Sequence, residues 1–162
     1  MAVRALLGTQ AQSAILLQAN AYPTLQSTGR RTIAFSDASD WSCTDGGVMP
    51  AGYAGGSITV VFFWASWTVT TGNCRWTIEF ERMAQNGNAT TANTFGTLVP
   101  VAQAPSTTLA AMQYCTFTLS AANMGSIVAG ESFRFRIGRT GSNVADTMVG
   151  LAYYYGSYFQ EI

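Results

Sequence analysis

The run from Ser57 to Thr71, SITVVFFWASWTVTT, constrains the fold more than any other part of the chain. β-branched and aromatic residues dominate it, and these residues fit the pleated surface of a sheet. Apolar side chains fall on both faces of the predicted strand: Ile58, Val60, Phe62 and Trp64 on one, and Val61, Phe63 and Trp67 on the other. The sequence therefore predicts a strand that is covered on both sides.

Alternation of apolar and polar residues predicts further strands, because successive side chains of a strand point to opposite faces. The alternation occurs in five segments: Arg31 to Phe35, Cys74 to Glu81, Tyr114 to Ser120, Ser132 to Gly138 and Val149 to Ile162. The short turn Thr71-Gly72-Asn73 has the length of a hairpin loop. It predicts that the strands on either side of it pair as an antiparallel hairpin.

The segments between these strands are predicted as connections. Ser36 to Gly47 is rich in Asp and Gly, which favours a loop. Ala84 to Ser106 is predicted as a long connection with one short strand, stopped by Pro100 and Pro105, and Ser120 to Gly125 as a single helical turn. Hairpins, a long crossing connection and six to eight strands indicate an all-β fold, an antiparallel jelly roll or β-sandwich.

Residues 1–29 have no clear period and almost no charge. They are predicted to form an N-terminal arm or linker before a sandwich domain of residues 30–162. An apolar arm of this kind packs either on its own domain or on a neighbour, and the candidate contact residues are Leu6, Leu7, Ile15, Leu16 and Leu17. No apolar run reaches the roughly 18 residues of a membrane-spanning helix, so no membrane partner is expected.

The composition excludes several classes of function. Charged residues make up 10% of the chain, against about 25% in a typical soluble domain, and the eight acidic and eight basic residues cancel. A neutral chain lacks the basic footprint of a nucleic-acid-binding protein and associates with itself more readily. Because the chain has no His, it cannot build a Ser-His-Asp triad or a His-ligated metal site. We therefore expect no enzyme activity, no cofactor and no metal.

The three cysteines, Cys43, Cys74 and Cys115, are too widely spaced for a C-x-x-C metal pattern and too few for a paired disulfide framework. They are predicted to be buried free thiols, since free Cys is among the most buried residue types. Free thiols favour folding in a reducing compartment.

Arginine and tyrosine side chains are the candidate contact residues within the sandwich. Arg134 and Arg136 leave one face of their strand and either meet a partner or remain within the domain, where Arg136 or Arg139 pairs with Asp146. In the last strand, alternation places Tyr153 and Tyr155 inward and exposes Tyr154 and Tyr158. The exposed pair is a candidate subunit interface or a platform that stacks on sugars.

Two groups of carboxylates are candidate sites of chemistry. Asp37, Asp40 and Asp45 could ligate Ca²⁺ but fit no defined calcium loop, so they are predicted to cap their own backbone. Glu79 and Glu81 lie on one strand face, where two solvated carboxylates are ordinary and a catalytic pair is not indicated.

Two blocks, Gly52 to Met83 and Val128 to Ile162, resemble phage virion proteins. The shared features are an apolar strand ending in Trp, a T-G-x-x-x-W turn, a Gly-Glu step into an R-x-x-R strand, a D-T turn and a closing aromatic strand. The resemblance implies a jelly-roll domain on a phage particle and a homotrimer.

Two functions follow from this resemblance. The first is a capsid cement, or decoration, protein that clamps the major capsid protein on the virion surface after folding in the host cytoplasm. The alternative is a carbohydrate-recognition module of a tail fibre or receptor-binding protein, for which carbohydrate is the partner.

Overall fold

The computed structural model describes residues 5–10, 16–18, 22–25, 31–83 and 94–162, and gives only the backbone up to residue 31. In these ranges the chain forms eleven β-strands. They are β1 (Ala5–Gln10), β2 (Leu16–Gln18), β3 (Tyr22–Leu25), β4 (Arg31–Phe35), β5 (Asp40–Val48), β6 (Ile58–Ser66), β7 (Cys74–Met83), β8 (Val99–Gln103), β9 (Gln113–Leu119), β10 (Ser132–Thr140) and β11 (Ala152–Glu161). No helix within the described ranges is long and apolar enough to cross a membrane.

The described strands form two antiparallel sheets. The six-stranded sheet has the order β3-β4-β11-β6-β9, and β1 pairs with β11 beyond the end of β4. The five-stranded sheet has the order β2-β5-β10-β7-β8. The predicted all-β, antiparallel sandwich is confirmed.

The core between the sheets is built from interlocking aromatic rings. Phe62 of β6 lies 4.5 Å from Trp76 of β7 in an edge contact, and it stacks on Tyr154 of β11 at 5.1 Å. Phe62 also makes an edge contact with Phe117 of β9 at 6.1 Å. These rings come from three strands of one sheet and one strand of the other, so their contacts join the two layers.

The predicted hairpin between β6 and β7 is wrong, because the two strands belong to different sheets. The segment from residue 67 to 73 crosses from one layer to the other. Both strands carry a fully buried apolar row, exemplified by Trp64 and Trp76, whose rings are 5.5 Å apart. Pairing in one sheet would place these rows side by side, whereas the crossover lets them face each other across the core.

The predicted loop from Ser36 to Gly47 is also wrong, since most of it forms β5. This strand pairs with β10 over nine consecutive residues, from Asp40 to Val48, and with β2 on its other edge. Glycine fits at position 46 within this strand, because the Cβ of any other residue would lie only 2.7 Å from the carbonyl oxygen of Phe133 on β10. Pairing on both edges outweighs the weak strand propensity of Asp and Gly.

The connections on either side of β9 follow the sequence more closely. Ser120 caps a turn as predicted: its Oγ accepts a hydrogen bond from the Asn123 backbone N–H, and the turn ends at Gly125 with a φ of +62°. The sequence predicts that Pro100 ends a strand, but it lies within β8. Because β8 is an edge strand, it can hold a residue that has no N–H to donate.

The predicted N-terminal arm contributes backbone to both sheets. β1 pairs with β11, β2 with β5 and β3 with β4, so this part of the chain packs on its own domain. Leu6 and Leu7 lie on β1, and Leu16 and Leu17 lie on β2, but their side chains and all of Ile15 lie outside the described residues. Their role as contact residues and the domain boundary at residue 29 stay predictions.

The three cysteines are buried and free, as predicted. Burial raises the pKa of each thiol above its usual value of 9.0, and that of Cys115 to about 12. The unfolded chain therefore releases these protons at a lower pH than the folded protein does.

We expect the free energy of unfolding to fall as the pH rises above 9, by about 1.4 kcal/mol per pH unit for each such thiol. Urea unfolding at a series of pH values measures this slope, and the Cys115→Ala variant, which lacks one thiol, should show a shallower decline between pH 9 and 12. Equal slopes for the two proteins would contradict the assignment.

Candidate functional site

The outer face of the six-stranded sheet carries a cluster of aromatic residues. In β6 the residues Ile58 to Trp64 alternate, with even-numbered side chains in the core, so Phe63 points outward. In β9 the buried Cys115, Phe117 and Leu119 leave Tyr114 outside. Together with residues of β11, the cluster, here called the aromatic face, consists of Phe63, Trp67, Tyr114, Tyr153, Tyr155 and Tyr158.

A β-bulge in β11 decides which tyrosines belong to this face. Tyr154 pairs with Trp64 and Gly156 pairs with Phe63, so Tyr155 is an extra residue without a partner position on β6. The bulge shifts the alternation by one position, and both Tyr154 and Phe159 point into the core although five positions separate them.

The predicted exposure of Tyr154 is therefore wrong. Tyr154 is 2% exposed, stacks on Phe62, and shares a hydrogen bond of 3.1 Å between its hydroxyl and that of Ser157. A side chain buried in this way cannot form a subunit interface. Tyr153 and Tyr155, which alternation placed inward, are half-buried on the aromatic face instead. The glycine at position 156, inside a run of tyrosines, is the sequence signal for the bulge.

The aromatic face is held together by direct contacts among its members. The rings of Trp67 and Tyr153 stack with centroids 4.5 Å apart, and the Trp67 indole N–H donates a hydrogen bond of 3.1 Å to the Tyr155 hydroxyl. Tyr158 lies beside Phe63 at 6.0 Å, so it occupies the outer face, as alternation predicts. Tyr114, at the edge, is 62% exposed. Each ring offers an apolar surface, and each tyrosine adds a polar tip.

Polar residues continue the aromatic face along the sheet. In the register of the strands, Thr59 of β6 lies opposite Thr118 of β9 on one side and Gln160 of β11 on the other. Thr118 is exposed, and Thr59 and Gln160 are half-buried. The Gln160 amide therefore lies two residues along β11 from the ring of Tyr158, and the Thr59 hydroxyl lies four residues along β6 from the ring of Phe63. This combination of flat apolar rings and neutral hydrogen-bonding groups suits a polyhydroxylated ligand.

The outer face of the five-stranded sheet carries ion pairs instead. Arg134 and Arg136 point outward, as alternation predicts, and each meets a carboxylate on β7. The Arg134 Nε donates to Glu81 at 2.7 Å, and the Arg136 Nε donates to Glu79 at 2.7 Å. The ring of Phe95 lies 4.5 Å from the Arg136 guanidinium.

Glu81 is only 4% exposed, so the predicted solvated face for the two glutamates is wrong at this position. Glu81 also accepts a hydrogen bond from the Thr94 backbone N–H, at the start of the segment that carries Phe95. Because Arg134 and Arg136 are paired within the domain, their predicted role in contacting a partner has no independent support.

A fully buried ion pair, between Arg139 and Asp146, secures the loop after β10 and confirms the predicted pairing inside the domain. Arg139 is 0% exposed, and its Nε and Nη2 donate to the two carboxylate oxygens of Asp146 at 2.8 and 2.7 Å. Asp146 also accepts a hydrogen bond from the Arg75 backbone N–H. These bonds tie the loop to β7 and β10 and make it a structural element rather than a ligand site.

Asp37, Asp40 and Asp45, the three candidate calcium ligands, each accept a hydrogen bond from a donor within the protein. Asp37 accepts from the Gly150 N–H, a bond that lowers the pKa of its carboxyl, and Asp40 accepts from the Ser142 N–H. Asp45 accepts from the N–H of the next residue. Within the described residues, no group of His, Cys, Asp and Glu side chains is arranged to hold a metal ion.

Neither a protein-family model nor a curated protein matches the chain. Solved structures do resemble it. CBM35 from Cellvibrio japonicus Abf62 aligns with a TM-score of 0.56 and 11% identity, over 98% of this chain and 92% of that one. The CBM22-1 xylan-binding domain from Paenibacillus barcinonensis Xyn10C aligns with a TM-score of 0.52 and 9% identity, over 99% and 96%.

The tandem CBM22-1-CBM22-2 domain of Paenibacillus barcinonensis Xyn10C aligns with a TM-score of 0.57 and 12% identity, over 98% of this chain and 50% of that one. At such low identity a structural likeness establishes the fold alone. The chain therefore has the jelly-roll β-sandwich fold that these carbohydrate-binding modules share.

Proposed function

We propose that the chain is a non-catalytic carbohydrate-recognition module that binds glycans on the aromatic face. The observation that carries the proposal is the stacked pair of Trp67 and Tyr153, fixed by the hydrogen bond from Trp67 to Tyr155. The fold shared with carbohydrate-binding modules supports the same function.

The geometry suggests how such a ligand binds. Pyranose rings have C–H faces that pack on aromatic rings, and hydroxyls around their rim that need hydrogen-bond partners. The contacts within the aromatic face hold Trp67 and Tyr153 in place before a ligand arrives, which reduces the entropy lost on binding. The Tyr155 hydroxyl and the neighbouring Thr59 and Gln160 supply polar partners along the same surface.

The sequence resemblance supports a narrower placement of this function, in the tail fibre or receptor-binding apparatus of a phage. The solved structures that resemble the chain are carbohydrate-binding modules, so they favour this alternative over a capsid cement protein that clamps the major capsid protein. The location on a virion and the homotrimer rest on the sequence resemblance.

Replacing Trp67 with alanine is expected to weaken glycan binding by about tenfold or more, because truncation of a central aromatic residue removes much of the contact energy of a site. Affinity electrophoresis against a panel of soluble polysaccharides, including xylan, identifies a ligand, and calorimetry then compares the variants. Phe95→Ala is the matched control, since the Phe95 ring packs on Arg136 at the outer face of the five-stranded sheet.

Thermal unfolding checks that both variants remain folded. Failure of the unmodified protein to bind any polysaccharide or any oligosaccharide on a glycan array would rule out the proposed function. Binding that Phe95→Ala abolishes and Trp67→Ala preserves would move the site to the five-stranded sheet.

A further inference from the structure

The edge strands of the two sheets differ in how well they are protected against pairing with another chain. Exposed edges are normally blunted by shortness, proline, charge or bulges. β2 has only three residues, β3 contains Pro23, and β8 contains Pro100. β1 is interrupted by a register shift between Ala5 and Leu7. Each of these four edges therefore carries one of the usual protections.

Among the described strands, β9 is the one edge that lacks all of them. Its seven residues, QYCTFTL, include no charge and no proline. It pairs with β6 over seven consecutive positions, from Gln113 to Leu119, without a register shift. A regular, uncharged strand of this length is a template for a further strand.

The hydrogen bonds at the start of β9 show which of its backbone groups face away from β6. The carbonyl oxygen of Tyr114 accepts a hydrogen bond from the side-chain amide of Gln103, which lies on β8 outside the six-stranded sheet. Backbone groups of a strand point to alternate sides with a period of two, so those of Thr116 and Thr118 face the same way. The side chains of both threonines are exposed.

We propose that two copies of this chain pair through β9, edge to edge and antiparallel, so that their six-stranded sheets become continuous. A two-fold axis beside Thr116 places this residue opposite its own copy and Tyr114 opposite Thr118 of the second copy. Thr116 and Thr118 present outward-facing N–H and C=O groups to this ladder. The Tyr114 N–H also faces outward, and the Tyr114 carbonyl, which already accepts a hydrogen bond from Gln103, offers its second lone pair.

Self-pairing is favoured over a different partner by the chemistry of the strand. The edge is self-complementary and brings no like charges together, and the chain has no net charge to oppose association. Leu109 and Met112, in the connection that leads into β9, are 51% and 49% exposed and add apolar surface on this side of the domain. A dimer of this kind also joins two aromatic faces into one surface, although the pairing does not depend on glycan binding.

Sedimentation equilibrium over a range of concentrations tests the proposal. We expect a species with twice the 17.3 kDa mass of the chain, and not the homotrimer that the sequence resemblance implies. Thr116→Lys should raise the dissociation constant at least tenfold, because it places two ammonium groups opposite each other across the two-fold axis. Thr71→Lys, at an exposed position in the connection between β6 and β7, is the matched control and should leave the dimer intact.

Hydrogen exchange on the unmodified protein gives a second readout that does not depend on a variant's folding. The amides of Thr116 and Thr118 should exchange more slowly as the concentration rises. A monomer at every concentration, or an oligomer of any size that Thr116→Lys leaves unchanged, would overturn the proposal. So would fast exchange of these two amides in samples that sedimentation shows to be dimeric.

Discussion

Replacing Arg139 with methionine is expected to lower the free energy of unfolding by about 3–5 kcal/mol, the usual cost of removing one partner from a buried ion pair. The substitution leaves the Asp146 side chain, 1% exposed, without its cation. It also removes the donors that Arg139 supplies to the backbone carbonyls of Phe35, Met148 and Gly150. A buried carboxylate and several buried carbonyls would then lack partners, and each such group carries a desolvation cost.

Urea unfolding measures the loss, and Arg82→Met provides the control. Arg82 pairs with Glu131 at 2.7 Å, but the Arg82 side chain is 33% exposed, so solvent screens this pair. We expect a loss several-fold smaller than for Arg139→Met. The double variant Arg139→Met/Asp146→Leu should recover part of the stability, because it removes the unpaired carboxylate as well. Equal losses for the two single variants would show that burial does not set the cost at Arg139.

The parts of the fold that the sequence predicts well are those decided by neighbouring residues. β10 is an example: Phe133, Phe135 and Ile137 alternate with polar residues, and all three are buried. β9 follows the same pattern. Any strand with one face in the core alternates apolar and polar side chains with a period of two, whichever strands it pairs with. Local alternation is therefore enough to identify it.

Pairing between distant segments could not be predicted in the same way. β5 has the composition of a loop and becomes a strand because β2 and β10 bind both its edges. The turn from Thr71 to Asn73 has the length of a hairpin loop, yet the chain there crosses between sheets. The residues of a turn determine only the local path of the backbone. Which sheet β7 joins depends on how the buried apolar rows of β6 and β7 pack against each other.

The sequence predicts only part of the candidate site, for the same reason. The sequence identifies its tyrosines as a group, but strict alternation assigns Tyr153, Tyr154 and Tyr155 to the wrong faces. One extra residue in a strand shifts the alternation, so that all residues before it point to the opposite face from the one that strict alternation predicts. The partners of this site, Phe63 and Trp67, lie more than eighty positions away from Tyr153 in the chain, so only the register between β6 and β11 brings them together.

Alanine at Tyr154 and alanine at Tyr158 should therefore have very different effects, although both residues are tyrosines of the same strand. We expect Tyr154→Ala to lower the free energy of unfolding by about 3–5 kcal/mol, as for other large aromatic residues truncated in a core. It removes the ring stacked on Phe62 and leaves a cavity among fully buried side chains.

Tyr158 is half-buried on the aromatic face and touches Phe63 at 6.0 Å. Solvent can occupy the space that its ring leaves, so Tyr158→Ala should cost less than about 1.5 kcal/mol. Urea unfolding of the two variants under identical conditions makes the comparison. The opposite order, with Tyr158→Ala the more damaging, would place Tyr154 on the surface and would mean that β11 alternates without a bulge. The aromatic face would then lose Tyr153, and with it the stacked partner of Trp67 on which the proposed glycan site depends.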